Sequence, residues 1–351
     1  MDTSGIYKNI GREIIDGFNI AFSEAKEKGI LKNIQIEHII YDDSYDAYLA
    51  LRNVDKMVRK KKVVVLFSTF GTPANVALVP RLDIYQIPLF FPITGASYFY
   101  IEKNRYIFTL LPSYKNESES MMEVIAKQKH KRIGIVYYPN TYGWDCEIFA
   151  RKKAKEKGIK VFKLPYKESG DLERIASKIK MEKMTALYLI IPSKFVKALV
   201  LKLASIGYYP DIYGENYASV DKVFNQLPSN ISSKFNRVII SRFLPLISRD
   251  YPLGKSYLDA LSKYAPDKNP TLFSFMGYFL ASTFSKIMAK VKNPTPEEII
   301  KTAESIKNLD VGLSEKVSYS ENDHIGLSDI YVYEWKNGSL KSIALRYILN
   351  Y

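Results

Sequence analysis

Amphipathic helical stretches alternate with short β-branched runs along almost the whole chain, and few folds accept that pattern. Strands that alternate with helices stack into a parallel sheet covered by its own crossover helices. The first helical stretch spans residues 8–28, where Ile10, Ile14, Phe18, Ala21, Phe22 and Ala25 share one face. Lys8, Arg12, Asp16, Glu24 and Lys28 stay largely off that face, and Gly29 suits the stop. A strand is expected at residues 34–41 and a helix near 45–60. Val63-Val64-Val65-Leu66-Phe67 follows, an apolar run too continuous for a half-exposed strand and therefore expected as a buried parallel one. After a turn, another helix begins near Pro73.

The alternation resumes with strands expected at 132–138, 159–163, 186–191 and 211–213, separated by helices near 141–157, 171–183 and 194–206. A helical block runs from about 249 to 306. Within it, Thr295-Pro296-Glu297-Glu298 combines an N-cap threonine, a first-turn proline and a glutamate placed to close a capping box. At the end, residues 329–335 and 340–346 flank Asn337-Gly338, a dipeptide favoured in tight type I′ hairpins. A length of 351 residues favours two domains. Breaks near 111–113 and 243–245 give an expected division into 1–112 with 244–320, and 113–243 with 321–351.

Composition narrows the function classes. Hydrophobic residues are 47% and charged residues 25%, as in ordinary globular proteins, which argues against disorder and fibrous structure. No stretch approaches the roughly 20 consecutive apolar residues of a membrane-spanning helix. The formal net charge of +14 invites a nucleic-acid partner. However, the excess is mostly lysine scattered over helix faces, with one compact run at Arg59–Lys62, no arginine-rich arm and no recognition motif, so no nucleic acid is expected. Cys146 is the single cysteine, which excludes an intramolecular disulfide and a multi-thiolate metal site. His38, His130 and His324 show no paired metal-ligand spacing; no metal and no cofactor are expected.

No catalytic motif appears. Gly-x-Ser-x-Gly, the phosphate-binding Gly-x-x-x-x-Gly-Lys-Ser/Thr and Gly-x-Gly-x-x-Gly are all absent. Cys146, close to an expected helix start, reads as a packing residue, and Asp42-Asp43 as capping or solvated acids. Small and hydroxyl residues instead gather at the carboxyl ends of expected strands, where open parallel sheets bind ligands. Ser68-Thr69-Phe70-Gly71-Thr72-Pro73 opens a helix whose amides suit an anionic group, and Thr94-Gly95-Ala96 repeats the theme.

At these loops the sequence resembles a known family. Asp42-Asp43-Ser44-Tyr45-Asp46, Phe70-Gly71-Thr72-Pro73-Ala74 and Pro88-Leu89-Phe90-Phe91-Pro92 with Thr94-Gly95-Ala96 are similar, in kind and order, to the extracytoplasmic solute-binding proteins of branched-chain amino-acid ABC importers. Pro112-Ser113-Tyr114 with Glu117 and Glu119 beyond, Tyr142-Gly143, Ala204-Ser205-Ile206-Gly207, Gly277-Tyr278 and Asp323-His324-Ile325-Gly326 extend the likeness over nearly the whole chain. The resemblance implies an α/β protein of two Rossmann-like lobes with parallel sheets, joined by three crossovers. It implies a small ligand, an amino acid or similar polar solute, enclosed between the lobes by hinge closure, with no bond made or broken. An ABC permease would be the membrane partner and the location periplasmic or extracytoplasmic. A ligand-sensing module of a receptor or regulator is the alternative.

Carried over by position, Ser68, Phe70, Gly71 and Thr72 with Thr94, Gly95 and Ala96 meet the ligand from the first lobe, and Tyr142 and Ser193 from the second. Glu215 matches the acid that pairs with an α-ammonium group, with Asn216 the alternative if the register slips by one. His324 reads as structural. Two departures stand out. Met276 occupies a position where many relatives carry Glu. Family members also open with a strand, whereas only Met1-Asp2-Thr3 precedes Ser4-Gly5, so both that strand and an export signal are expected to be absent, leaving a hydrophobic gap in lobe one.

Overall fold

A computed structural model describes residues 1–32, 34–101 and 104–344. The chain divides into two units, Met1–Leu111 with Leu246–Leu327 and Pro112–Pro245 with Ser328–Tyr351, so it passes from one to the other three times.

The first unit holds a three-stranded parallel sheet of β1 (Leu66–Phe67), β2 (Leu89–Phe90) and β3 (Ile107–Phe108) in that order. Leu66 pairs with Leu89 and Leu89 with Ile107, and Phe90 stacks on Phe108 with ring centres 4.7 Å apart. The helices Lys8–Glu27 and Leu272–Met288 cross so closely that Gly17 lies against the backbone of Ser274 and Tyr278, and Gly277 against that of Ile14. Phe284, from the second of these helices, packs on Phe67 with ring centres 4.7 Å apart. The expected helices at 8–28, near 45–60 and from Pro73 appear as Lys8–Glu27, Ala47–Lys61 and Thr72–Tyr85.

Two expectations in this unit need correction. Residues 34–41 are not a strand, and the strand expected over 63–67 shrinks to Leu66–Phe67 with Val64 exposed. Among the described residues no backbone bond joins 35–40 to any neighbour. A strand exists only through its ladder, and between these two segments lies a hollow in place of a partner. Its volume is about 110 Å³, and Phe18, Ile36, Ile40, Met57, Val65 and Phe67 are among its walls.

His38 also lines this hollow, 5.4, 5.3 and 6.0 Å from the ring centres of Phe18, Phe22 and Phe67. Burial among these rings disfavours the imidazolium and lowers the histidine from 6.5 to about 4. An unfolded chain therefore takes up this proton before the folded one. The stability held by neutral His38 is whole above about pH 6.5 and is lost as the pH falls towards 4. Urea unfolding at pH 7 and pH 4.5 should differ by up to about 3 kcal/mol more in the parent protein than in a His38→Leu variant. Equal pH dependence in the two would mean that the imidazole is solvated.

The second unit carries a seven-stranded sheet. Its strands are β4 (Arg132–Tyr137), β5 (Lys160–Pro165), β6 (Ala186–Ile190), β7 (Asp211–Gly214), β8 (Val238–Arg242), β9 (Tyr331–Lys336) and β10 (Ser339–Ala344). The order is β10-β9-β8-β7-β6-β4-β5, parallel from β5 to β8 and antiparallel beyond. Every residue of β6 is buried, as a strand covered by helices on both faces must be. The chain leaves β4 towards β5 on one side and later continues from β6 to β7 and β8 on the other, which makes the carboxyl ends of β4 and β6 a switch point.

The Asn337-Gly338 turn has positive φ at both positions, 48° and 85°, as a type I′ hairpin requires. Residues 345–346, the end of the expected last strand, lie outside the described residues. Thr295 does cap the helix Pro296–Glu304, accepting the Glu298 N–H at 3.3 Å. The reciprocal capping box, however, forms at Thr271 and Ser274, where each side chain bonds the other's backbone.

Candidate functional site

In the first unit the predicted residues gather at the carboxyl ends of β1 and β2. Ser68 and Phe91, the residues just past the two strands, both adopt left-handed backbone, φ 47° and 56°, a conformation that costs a side chain about 1 kcal/mol or more. The chain then turns sharply into Phe70, which bridges Ile93, and Gly71, whose N–H donates to the Ile93 carbonyl at 3.2 Å. Gly71 has φ 96°, and a Cβ there would lie 2.6 Å from the ring of Tyr45, so only glycine fits.

The helix Thr72–Tyr85 starts at this point without a side-chain cap from Gly71. Asn75 fastens the turn, its Nδ2 donating to the carbonyls of Thr69 and Gly71 at 3.0 Å each. Thr72 and Thr94 share a hydroxyl–hydroxyl bond of 2.8 Å, and Thr94 Oγ1 accepts the Ala96 N–H at 3.2 Å. Ser68, Phe70, Gly71, Thr72, Thr94, Gly95 and Ala96 are thus brought together, all buried. The Ser68 hydroxyl has no hydrogen-bond partner among the described residues. Tyr7, missed from the sequence, joins Tyr45 and Phe70 in an edge-on aromatic cluster, with ring centres 4.7 and 5.9 Å from its own. Nothing in its local pattern separates it from a core tyrosine.

In the second unit the helix Thr141–Glu156 follows β4. Its Asn140 cap accepts the Gly143 N–H at 3.1 Å, and Gly143 packs so tightly on the Tyr138 carbonyl that a Cβ would lie 1.9 Å from the oxygen. This fixes Tyr142, whose hydroxyl donates to Glu215 Oε1, while Oε2 accepts the Tyr217 N–H at 2.8 Å. Glu215 is fully buried just beyond β7.

A second buried acid, Glu117, was not anticipated as part of this cluster. Its Oε1 accepts the Asn216 N–H and the Ser241 hydroxyl, both at 2.7 Å, and its Oε2 has no partner among the described residues. Arg242 braces the same loop by donating to the Asn216 carbonyl at 3.4 Å, and it pairs with Asp221 at 2.5 Å. Burial raises both carboxyls well above the usual carboxylate range. The neighbouring Glu117 charge raises Glu215 further, whereas Arg242 pulls both down. Each of these two acids therefore favours its protonated form more than a solvated glutamate does.

Asn216, the alternative to Glu215, is committed to the loop. Its Oδ1 accepts the Phe243 N–H at 3.2 Å and its Nδ2 has no partner among the described residues. Ser193 is exposed at the first position of its helix, where Pro192 is the cap. His324 serves the first unit's core: it stacks on Phe108 at 3.9 Å, with Nδ1 3.1 Å from the Ile107 carbonyl and Nε2 3.2 Å from Glu304 Oε1. Cys146 is fully buried, and burial, with Glu215 and Glu117 next, pushes its thiol up, away from the thiolate that nucleophilic chemistry requires.

Two α/β units that the chain enters and leaves three times, with small and hydroxyl residues at strand ends, define the type I periplasmic binding fold. The chain belongs to the periplasmic binding protein family, whose model matches residues 1–339. It is 21% identical, over 93% of its length and 86% of the relative's, to a leucine-, isoleucine-, valine-, threonine- and alanine-binding protein of Pseudomonas aeruginosa. A possible leucine/isoleucine/valine-binding protein from Rhodopirellula baltica superposes with a TM-score of 0.88 at 20% identity, over 98% of this chain and 94% of that one. A fatty acid ABC transporter substrate-binding protein from Thermomonospora curvata gives 0.85 at 21% identity, over 99% and 90%.

Proposed function

We propose that this protein is the solute-binding component of an ABC importer, taking up an amino acid or a similar small polar solute that its two units enclose by hinge closure. It works outside the cytoplasm and delivers its solute to a membrane permease. The observation that carries this is the chemical pairing of the two clusters: hydroxyls and helix-start amides at 68–72 and 94–96, and a buried acid at 215. The first suits a carboxylate and the second an ammonium group.

The names of the relatives sharpen the choice. Amino acids and fatty acids both carry a carboxylate, and only the former carry an amine. In this reading the first cluster takes the shared group, and Glu215, reached through the Tyr142 hydroxyl, decides for the amine. A thermal-shift screen against amino acids, amides, short carboxylates and fatty acids tests it, since a ligand of the folded state adds about 2.7 kcal/mol at a hundredfold excess over Kd. A shift with amino acids is the expected result. A shift with fatty acids alone would overturn the role of Glu215, and no shift with any of them would overturn the ligand class.

A further inference from the structure

The positive charge that lies scattered along the sequence is gathered by the fold. Of the 51 Lys and Arg and 37 Asp and Glu, the first unit holds 24 and 22 and the second 27 and 15, which leaves net charges of +2 and +12. Within the second unit the excess has a place. Strands β4 to β8 run parallel, so the helices between them run back, and helix ends meet strand entries at the amino end of the sheet, away from Tyr142 and Glu215. Backbone bonds tie these entries side by side. The Lys160 N–H donates to the Lys131 carbonyl, the Thr185 N–H to the Arg132 carbonyl and the Ile212 N–H to the Arg237 carbonyl, each at 2.9 Å.

The acids near this end are already answered. Glu123 pairs with Lys157 at 2.7 Å, Glu156 with Lys153 at 3.3 Å, Glu182 with Arg132 at 2.7 Å and Asp211 with Arg237 at 3.5 Å. Lys129, Lys131, Lys155, Lys160 and Lys183 are exposed, and none of them makes an ion pair among the described residues. The helix dipole accounts for Lys155, in the last turn of its helix, but the other four lie beyond helix ends. Lys129 and Lys183 hold the left-handed position just past their helices, φ 63° and 50°, which Gly158 and Gly207 fill after the helices Thr141–Glu156 and Ser193–Ser205.

We infer that this end of the second unit is a membrane-contacting face that takes anionic phospholipid headgroups. The inference rests on the proposed work beside a membrane permease, which brings the protein to a lipid surface. Lysines within a Debye length of such a surface, about 8 Å, each strengthen binding roughly fivefold. Met181, 73% exposed between Lys180 and Lys183 in the chain, adds an apolar side chain suited to the boundary below the headgroups, which a bare phosphate backbone does not use.

Co-sedimentation of the full chain with vesicles tests this, using phosphatidylcholine alone or mixed with about a third of phosphatidylglycerol. Binding to the mixed vesicles only is expected, and it should weaken about tenfold or more as salt rises from about 0.05 to about 0.5 M and the Debye length shortens. The combined Lys129→Gln, Lys131→Gln, Lys160→Gln and Lys183→Gln variant should bind about a hundredfold more weakly, and the four corresponding Lys→Arg changes should preserve binding. An equal loss of charge in the first unit, Arg59→Gln, Lys60→Gln, Lys61→Gln and Lys62→Gln, should weaken it less than about threefold. Equal weakening by the two glutamine variants would overturn the face in favour of net charge alone. No binding to the mixed vesicles, or tighter binding of duplex DNA than of vesicles, would overturn the lipid partner. The assay involves neither solute nor permease, so its failure overturns this face while the thermal-shift screen judges the solute reading separately.

Discussion

Replacing Glu215 with glutamine is expected to weaken binding of an α-amino acid by about a hundredfold or more, because a buried charge partner of an ammonium group is worth several kcal/mol. The same change leaves folding nearly intact. An amide keeps an oxygen for the Tyr142 hydroxyl or the Tyr217 N–H, and it removes the repulsion between Glu215 and Glu117. The proton balance adds a second signature. Glu215 has a raised pKa from burial and from Glu117, so an incoming ammonium must drive a proton off the pair. Affinity should therefore rise with pH through the titration of the pair, and calorimetry in buffers of different ionisation heat should detect proton release. In the Glu215→Gln variant both effects should fall away. Equal affinity in parent and variant would remove Glu215 from the site.

The largest effect on stability is expected at the crossing of the helices Lys8–Glu27 and Leu272–Met288. A Cβ on Gly17 would lie 2.0 Å from the Ser274 carbonyl oxygen, and one on Gly277 2.2 Å from that of Ile14. These are backbone atoms on both sides, so no side chain can swing away, and the helices themselves must part. Gly17→Ala or Gly277→Ala should cost about 3 kcal/mol in urea unfolding, the upper part of the range for overpacking, despite the better helix propensity of alanine. The double variant should cost less than the sum, because one separation of the helices accommodates both methyls. Wild-type stability in either single variant would mean a looser crossing.

The local signals in this sequence were readable because they act within a few residues. The apolar stripe of residues 8–28, the Thr295-Pro296 start and the Asn337-Gly338 turn each work through neighbours three or four positions away, and each appears in the structure. The loop motifs at 68–72 and 94–96 were legible for a related reason. Gly71 and the hydroxyls beside it are residue types chosen by backbone conformation and hydrogen bonding, which leave a mark on composition.

Glu117 belongs to the family-like pattern, but nothing in the sequence places it beside Glu215. It meets the Asn216 N–H 99 positions along the chain, and its place three residues into a helix beginning at Tyr114 matches any first-turn acid. Tyr7 and Tyr45 likewise become a cluster with Phe70 only when the chain folds back.

The sequence by itself determined the helices, the order of elements and the membership of the chain in an α/β class, because periodicity and capping are local properties of covalent neighbours. Only the tertiary structure decided which apolar runs become strands and which acids are buried together. Residues 34–41 and 63–65 have the side chains of strands, but a strand is completed by a partner's backbone, and beside them stands a hollow. Glu117 and Glu215 are ordinary glutamates in sequence, and their raised affinity for protons comes from the water they lose and the charge they meet when β7 and β8 close over them.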